Sequence, residues 1–231
     1  MTSIELRGVW YRYVGSNDWV LKNVSLTIEP KEVVVITGHN GSGKTTLLKI
    51  ASLIYRPTKG EVLVGGKEFW SLTEDEKLVI RRKVVYVHEK PILLRDTVLG
   101  NVAYGLRVRG LSNDELLRRC KEVLEELGIW GLKDINAYKL SVGQAQLVAI
   151  ARALTLNPEV LLLDEPYAHL DMKKKELLTK VLSRRSVEGM TLVIATHQKI
   201  DSTELRITKT VTLENGEVVD INNHNNSKHM K

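Results

Sequence analysis

At residues 38–45 the chain reads Gly38-His39-Asn40-Gly41-Ser42-Gly43-Lys44-Thr45, between the apolar run Val33-Val34-Val35-Ile36 and a helix-like segment that continues through Thr46. Glycines at this spacing let backbone N–H groups surround phosphate oxygens. In such a loop Lys44 can reach the β- and γ-phosphates, and the Thr45 hydroxyl can ligate Mg²⁺. The strand, loop and helix therefore predict a site for a nucleoside triphosphate, with Mg²⁺ as its cofactor. A glycine-rich turn without a ligand is the simpler alternative.

A second set of chemically active residues follows another apolar strand. The run Val160-Leu161-Leu162-Leu163 ends in Asp164 and Glu165. Ligands of open α/β sheets bind beyond the carboxyl ends of the strands, so both acids are expected to face the phosphates. We predict that Asp164 holds Mg²⁺ and that Glu165 deprotonates the attacking water, because phosphoryl transfer depends on positioning and charge neutralisation. Two surface acids at a strand end are the alternative.

His197 follows the apolar run Leu192-Val193-Ile194-Ala195 and is expected at the same edge of the sheet. A histidine there can hydrogen-bond the γ-phosphate or the attacking water. A lone histidine after a strand is usually incidental. The neighbouring phosphate loop and carboxylates favour a functional role here.

The segment Ser141-Val142-Gly143-Gln144 precedes another predicted helix, and Ser141 and Gln144 have the spacing of a capping box. The exposed N–H groups and positive dipole end of such a helix also bind anions. The loop at residues 38–45 is expected to enclose the triphosphate bound by its own chain. We therefore expect this helix to contact the phosphates held by a second subunit.

Strand and helix signals alternate along most of the chain. Antiparallel strands are predicted within residues 2–28, and helices replace strands at about 91–154. Strands and helices then alternate again up to residue 221, which is typical of a parallel sheet. We predict an α/β fold: a P-loop NTPase core with a mostly parallel sheet, an N-terminal antiparallel β subdomain and a helical insertion. Residues 222–231 are polar and are predicted to be a disordered tail.

The composition narrows the class of protein. The 231 residues are 43% hydrophobic and 27% charged, and a single cysteine, Cys120, excludes an internal disulfide. No apolar run approaches the ~20 residues of a membrane helix, and Met1 to Glu5 lack signal-peptide features, so a cytosolic location is expected. The net charge of +6 arises from interspersed basic and acidic residues without basic–aromatic interleaving. No nucleic acid partner is expected.

Together these segments resemble the ATP-binding cassette (ABC) family over about residues 3–220, with residues 1–221 forming a single ABC ATPase domain. The matching segments are residues 38–45 (Walker A), 140–144 (signature), 161–165 (Walker B with the catalytic glutamate), 168–171 (D-loop, ending at Asp171) and His197 (switch histidine). Tyr13 matches the aromatic residue that stacks on adenine, although Trp10 and Tyr11 are near competitors.

The resemblance implies two cassettes packed head to tail, either as a homodimer or with a homologous cassette. Each ATP would lie between the Walker A motif of one cassette and the signature of the other, and hydrolysis would open the pair. It also implies transmembrane transporter subunits as partners and a peripheral position on the inner face of the cell membrane.

Within the family, residues 91–106 resemble importer cassettes for oxyanions, and the loop after Tyr13 also resembles energy-coupling cassettes for metals or vitamins. Residues 134–139 lack the acidic-glycine pattern typical of exporters. An importer is therefore favoured. An efflux or lipid-export ATPase and a non-transport cassette, of the iron–sulfur assembly or DNA repair type, are the alternatives.

Two departures from the family pattern bear on the site. Glu89 stands where the family usually carries glutamine, and Val142 replaces the first signature glycine. The Glu89 carboxylate can ligate Mg²⁺ but adds negative charge beside a triphosphate; a solvated loop acid is the alternative. Val142 removes backbone freedom close to a phosphate, whereas Gly143 keeps it.

Overall fold

The computed structural model describes residues 2–198, 200 and 204–224. Within them the strands are β1 (Ile4–Tyr11), β2 (Leu21–Ile28), β3 (Val33–Thr37), β4 (Lys59–Val64), β5 (Lys67–Glu68), β6 (Val84–Val87), β7 (Val160–Asp164), β8 (Thr191–Ala195), β9 (Lys209–Glu214) and β10 (Glu217–Asn223). The α-helices are α1 (Lys44–Ala51), α2 (Glu74–Arg81), α3 (Val98–Val108), α4 (Asn113–Glu126), α5 (Val142–Leu154) and α6 (Met172–Val187).

The strands form two sheets. The larger sheet has the order β10-β9-β3-β8-β7-β6, in which only the edge strand β10 pairs antiparallel among the described strands. The smaller sheet has the order β2-β1-β4-β5 and is antiparallel throughout. The predicted α/β fold with an N-terminal antiparallel unit is confirmed. The short strand β5 was missed, because two residues carry no periodicity.

Strand β3 separates two hydrophobic cores. Val33 and Val35 pack into the core beneath helices α3 to α6, and Val34 and Ile36 pack into the core shared with α1 and the smaller sheet. Since successive side chains of a strand point to opposite faces, a strand buried on both faces must be apolar at every position. The run of four β-branched residues therefore places β3 in the middle of the molecule, and the phosphate loop follows directly at its carboxyl end.

The helix starts follow the capping signals in the sequence. Complete capping boxes form at Thr73 with Glu76 and at Ser141 with Gln144, as predicted. Ser112 caps α4 by accepting from the Glu115 N–H. There the box is not completed, because the Glu115 carboxylate pairs with Arg118 and Arg119 instead.

Helices α3, α4 and α5 pack against one another, and α5 also packs on β6. The assignment of residues 91–154 to a separate inserted subdomain stays a prediction. At the C-terminus, β10 extends to Asn223, which pairs with Lys209, so residues 222 and 223 belong to the sheet and not to a disordered tail. That boundary was wrong because polar residues are tolerated on an exposed edge strand. Residues 225–231 lie outside the described residues.

Among the described helices, none is both long enough and apolar enough to cross a membrane.

The buried side chain of Asn101 anchors the loop that leads into α3. Its amide nitrogen donates to the carbonyls of Leu94 (3.1 Å) and Thr97 (3.0 Å), and its amide oxygen accepts from the Leu94 N–H (2.7 Å). Asn101 is fully buried, so no water can replace these bonds. The side chain thereby holds the segment between β6 and α3 against the first turn of the helix.

Replacing Asn101 by leucine, which has a similar size, should destabilise the fold by about 2–3 kcal/mol, because buried backbone groups of the loop lose their partners. Urea unfolding measures this free energy. The same substitution at the exposed Asn113 is the control and should change it by less than about 0.5 kcal/mol. Equal stabilities for the two variants would contradict the anchoring role.

Candidate functional site

The phosphate loop connects β3 to α1 and takes a conformation that requires glycine. Gly38 has φ of 151°, and a Cβ at this position would overlap the Leu213 carbonyl oxygen. Gly43, which directly precedes α1, has φ of 104°. The loop therefore wraps around the N-terminus of α1 and leaves room for a ligand to approach the backbone closely.

The Lys44 ammonium lies at the centre of this loop. Its Nζ donates to the carbonyl oxygens of Gly38 (2.8 Å) and His39 (2.9 Å), and the residue is 7% exposed. The cation is thus held inside the ring of backbone groups, where it can exchange carbonyl contacts for phosphate oxygens. This arrangement agrees with the predicted position of Lys44.

Asp164 lies at the carboxyl end of β7 and is 1% exposed. Its Oδ2 accepts a hydrogen bond from the Tyr86 hydroxyl on the neighbouring strand β6 (3.0 Å). Burial raises the pKa of Asp164, and hydrogen bonds from the Thr45 and Tyr86 hydroxyls act in the opposite direction. Burial and the nearby Asp164 charge also raise the pKa of Tyr86, so its hydroxyl keeps the proton that it donates.

Glu165 and His197 are in direct contact. The His197 Nδ1 lies 2.7 Å from Glu165 Oε1, which also accepts from the His197 backbone N–H at 3.0 Å. The Thr196 hydroxyl donates to the other carboxylate oxygen, Oε2, at 3.0 Å. Glu165 has φ of +46°, a left-handed conformation that is uncommon outside glycine and that accumulates at functional sites. The turn after β7 thus directs the carboxylate to the end of β8.

A cavity of about 460 Å³ joins these groups, a size suited to a small-molecule ligand. Its lining consists of Tyr13, Val20, Asn40, Gly41, Gly43, Lys44, Thr45, Thr46, Glu89, Asp164, Glu165 and His197. With the exception of Val20, every one of these was singled out in the sequence. Gly38, His39 and Ser42 shape the loop without lining the cavity.

Tyr13 borders the cavity, whereas its two sequence competitors do not. The Tyr13 hydroxyl lies 3.0 Å from Thr46 Oγ1. Tyr11 stacks on Tyr55 at 5.4 Å, and Trp10 packs edge-on against Trp19 at 5.3 Å. Of these three aromatic residues, Tyr13 alone lines the cavity.

The signature residues lie away from this cavity in the same chain. Ser141 caps α5, and Val142 is 54% exposed. Gly143 lies so close to the His169 carbonyl oxygen that a Cβ would be 2.5 Å from it. Asp171 caps α6 by accepting from the Lys174 N–H at 3.0 Å. The signature helix and the segment at residues 168–171 thus form one packed unit.

Two acidic side chains and a hydroxyl are available to a metal ion in the cavity: Asp164, Glu89 and Thr45. In the part of the chain that the structure describes, no three His, Cys, Asp or Glu side chains are grouped so as to hold a metal. A cation here would depend on phosphate oxygens and water for its other ligands. Mg²⁺ has this preference, so the residues fit it.

Sequence reasoning missed Tyr86, which touches Asp164, and Thr196, which touches Glu165. Tyr86 is one residue of an otherwise aliphatic strand, and Thr196 follows β8 without a motif. Neither has a local signal. Only the pairing of β6 and β8 with β7 brings these hydroxyls to the two acids.

The sequence profile of the ABC transporter family matches residues 21–168. The chain belongs to the ABC transporter family. A putative ABC transporter ATP-binding protein of Pyrococcus furiosus is 39% identical to this cassette over 217 residues, which cover 93% of the cassette and 81% of the relative. A probable anion import ATP-binding protein of Haloferax volcanii is 38% identical over 191 residues, covering 77% and 66% of the two chains.

Solved structures agree with this assignment. A dimeric bacterial ABC transporter cassette superposes with a TM-score of 0.86 at 34% identity, covering 95% of this cassette and 98% of that chain. The same bacterial cassette has also been solved as a dimer in a post-hydrolysis state with ADP and Pi, again with a TM-score of 0.86, at 33% identity and with the same coverage. This cassette is an ATP-binding subunit of an ABC transporter and an ATPase.

Proposed function

We propose that this cassette drives an importer: MgATP brings two copies together head to tail, and hydrolysis is coupled to uptake through separate membrane subunits. The observation that carries the proposal is the separation, on one chain, of the phosphate loop from the helix start that resembles the family signature. The phosphate loop lines the cavity, whereas the capped N-terminus of the signature helix α5 lies outside the cavity. A closed two-fold pair gives each cavity the signature of its partner.

In each site the backbone of residues 38–46 holds the phosphates, with Lys44 against the β- and γ-phosphates. The ring of Tyr13 stacks on the base. Glu165 accepts a proton from the attacking water. His197 contacts both Glu165 and the γ-phosphate, and so positions the base relative to the phosphate. The contact of 2.7 Å between the His197 and Glu165 side chains supports this pairing.

Thr45, Asp164 and Glu89 are the residues that would hold Mg²⁺ beside the phosphates. When bound, Mg²⁺ neutralises charge that develops on the phosphate oxygens. Asp164 is buried and already held on one oxygen by Tyr86. Protein groups, and not bulk water, therefore set the orientation of the Asp164 carboxylate.

The partner cassette supplies Ser141, Val142, Gly143 and Gln144 to the γ-phosphate, and Asp171 lies beside them in the same packed unit. Val142 is exposed, so its side chain is tolerated in the free cassette. Its extra bulk compared with glycine restricts the backbone that meets the phosphate. The helix dipole and the free N–H groups of α5 supply the attraction.

A second cavity supports coupling to a membrane protein. It has a volume of about 590 Å³ and lies between β6 and helices α3 and α5. Its lining includes Ile92 (71% exposed), Leu94 and Tyr104. The segment that follows β6 lines both cavities, with Glu89 in the first cavity and His88 and Pro91 in this groove. An apolar segment of a membrane subunit docked here would therefore move with the residue that faces ATP.

Purification of the tagged cassette from detergent-solubilised membranes tests the function. A stoichiometric complex with a membrane-spanning protein is expected, and in proteoliposomes substrate should move towards the side that carries the cassette. Ile92→Glu should lose the complex and keep ATP hydrolysis. Val79→Glu, at an exposed apolar residue of α2 outside the groove, is the control. Movement away from the cassette would establish efflux, and absence of any membrane partner would overturn the transport proposal.

The family relative of Haloferax volcanii supports uptake of an anion as the direction and class of transport. A metal or a vitamin is the alternative cargo suggested by the sequence pattern after Tyr13. Substrate competition in the same proteoliposomes separates these cargoes, because inhibition by oxyanions such as phosphate, molybdate or tungstate is expected for an anion importer and not for an importer of metals or vitamins.

Replacing Glu89 by glutamine should preserve hydrolysis and reduce the difference in ATP affinity between Mg²⁺ and metal-free conditions, by up to about fivefold for one partly solvated charge. The carboxylate favours the cation and repels the phosphates when the metal is absent. ATP titrations with and without Mg²⁺ measure both affinities. Asp75→Asn on the exposed surface of α2 is the control, and an unchanged metal effect in Glu89→Gln would identify Glu89 as a solvated loop acid.

A further inference from the structure

Tyr86 lies in the wall of the apolar groove and hydrogen-bonds an acid that lines the nucleotide cavity. Its ring forms part of the wall of the apolar groove, together with Tyr55 and His88. Its hydroxyl donates to Asp164 Oδ2 at 3.0 Å, and Asp164 lines the nucleotide cavity. The side chain of Tyr86 therefore connects the apolar groove, where a partner would dock, to Asp164 in the nucleotide cavity.

The geometry of the sheet makes this contact specific. Strands β6 and β7 are parallel neighbours, and Tyr86 is in register with Leu162, two residues before Asp164. The long phenol reaches along the strand direction to the carboxylate at the end of β7. A shorter side chain or an aliphatic one at this position would leave Asp164 Oδ2 without this donor.

Asp164 depends on such donors for its orientation. It is 1% exposed, so bulk water does not compete for its oxygens. A hydrogen bond to a buried carboxylate is worth more than one between neutral groups, and it selects one rotamer of the acid. Asp164 lines the nucleotide cavity, so the donor on Oδ2 helps to set how this acid faces the cavity.

Two aromatic pairs contribute rings to the groove wall, one at Tyr86 and one at Tyr55. The Tyr86 and His88 rings pack edge-on at 6.0 Å. Tyr55, also in the groove wall, packs edge-on against Tyr13 at 6.2 Å. A ring in contact with another cannot shift far without displacing its neighbour. A ligand in the groove would contact Tyr86, whose hydroxyl bonds Asp164, and Tyr55, whose ring packs against Tyr13.

We propose that Tyr86 is a positioning residue that orients Asp164 for Mg²⁺ and links the orientation of this acid to occupancy of the groove. The link to a docked membrane subunit rests on the proposed function. The orientation of Asp164 by Tyr86 does not, and it is testable on the isolated cassette.

Tyr86→Phe removes only the hydroxyl. The Mg²⁺ affinity of the cassette bound to a non-hydrolysable ATP analogue, measured by calorimetry, should fall by roughly tenfold, the size expected for loss of a hydrogen bond to a charged acceptor. Affinity for the analogue without metal should be unchanged. Tyr167→Phe is the matched control, because its buried hydroxyl accepts from Thr179 and contacts no acid of the site. An unchanged or increased Mg²⁺ affinity in Tyr86→Phe would overturn the proposal.

A bulky label in the groove tests the link. Ile92→Cys can be modified with pyrenyl maleimide, since the native Cys120 is fully buried and burial raises its pKa to about 11. The label should lower the Mg²⁺ affinity severalfold when Tyr86 is present and leave it unchanged in the Tyr86→Phe background. Equal effects in both backgrounds, or no effect in either, would overturn the link through Tyr86.

The Tyr86→Phe and groove-label experiments test the role of Tyr86 independently of the transport proposal. Failure to find a membrane partner leaves both Mg²⁺ measurements as they are, because they use the cassette alone with a synthetic occupant. A normal complex with active uptake, combined with an unchanged Mg²⁺ affinity in Tyr86→Phe, would reject only the role of Tyr86.

Discussion

Replacing Glu165 by glutamine should leave ATP binding intact and reduce hydrolysis by about 10²–10⁴-fold, the usual contribution of a general base. The amide has the shape of the carboxylate but cannot accept the proton of the attacking water. The substitution is structurally mild. The amide oxygen can still accept from the His197 N–H, and the Thr196 hydroxyl can rotate to face the amide nitrogen.

A cassette that binds ATP and does not hydrolyse it should accumulate as a dimer. Gel filtration of Glu165→Gln at saturating MgATP is expected to give a dimer peak that disappears without nucleotide. Glu159→Gln is the matched control, because Glu159 directly precedes β7 at its opposite end and pairs with Lys83 at 3.0 Å. It should hydrolyse ATP normally. A Glu165→Gln protein that stays monomeric at high concentration would overturn the head-to-tail arrangement, or the tolerance of Val142 within it.

Replacing Lys44 by alanine should lower ATP affinity by about 10²-fold or more, because charge-assisted bonds to two phosphates are lost. The loop also loses the two carbonyl contacts that the ammonium makes in the free protein, to Gly38 and His39. Lys44→Met separates the two effects. It keeps the aliphatic stem that fills the loop and removes only the charge, so it should bind ATP as weakly as the alanine variant.

Calorimetric titration of ATP in the presence of Mg²⁺ measures this loss. Lys209→Met provides the control for removing a nearly buried lysine, since Lys209 is 8% exposed and donates to the Thr27 carbonyl at 2.7 Å outside the cavity. Its ATP affinity should match that of the wild type. Near-normal affinity in either Lys44 variant would be incompatible with a phosphate site at this loop.

The fold was largely predictable because its strongest signals are local. The first four residues of β3, Val33 to Ile36, are all apolar because both faces of the strand are buried there. Helices α2 and α5 begin at capping boxes that are visible in the sequence. Phosphate-loop geometry is local in the same sense, since the glycines and Lys44 lie within one turn between a strand and a helix. Interactions between residues close in the chain are encoded by spacing alone.

The errors also have a physical origin. Strand β10 continues through Asn223 because its partner β9 supplies backbone hydrogen bonds that do not depend on side-chain polarity. The assignment of Asp164 and Glu165 to one edge with His197 was correct because parallel strands end on the same side of a sheet. Their hydrogen-bond partners could not be predicted in this way.

The sequence by itself determined the class of fold, the nucleotide loop and the candidate acids, because each depends on residue types at fixed spacing along the chain. Tertiary structure alone decided which groups control those acids. Tyr86 and Thr196 are 78 and 31 residues away from the acids that they touch, Asp164 and Glu165. Such contacts arise from the order and register of strands in the sheet, which sequence periodicity does not specify. The same pairing places Tyr86 in the groove wall and beside Asp164, so the proposed link between the two cavities exists only in the folded chain.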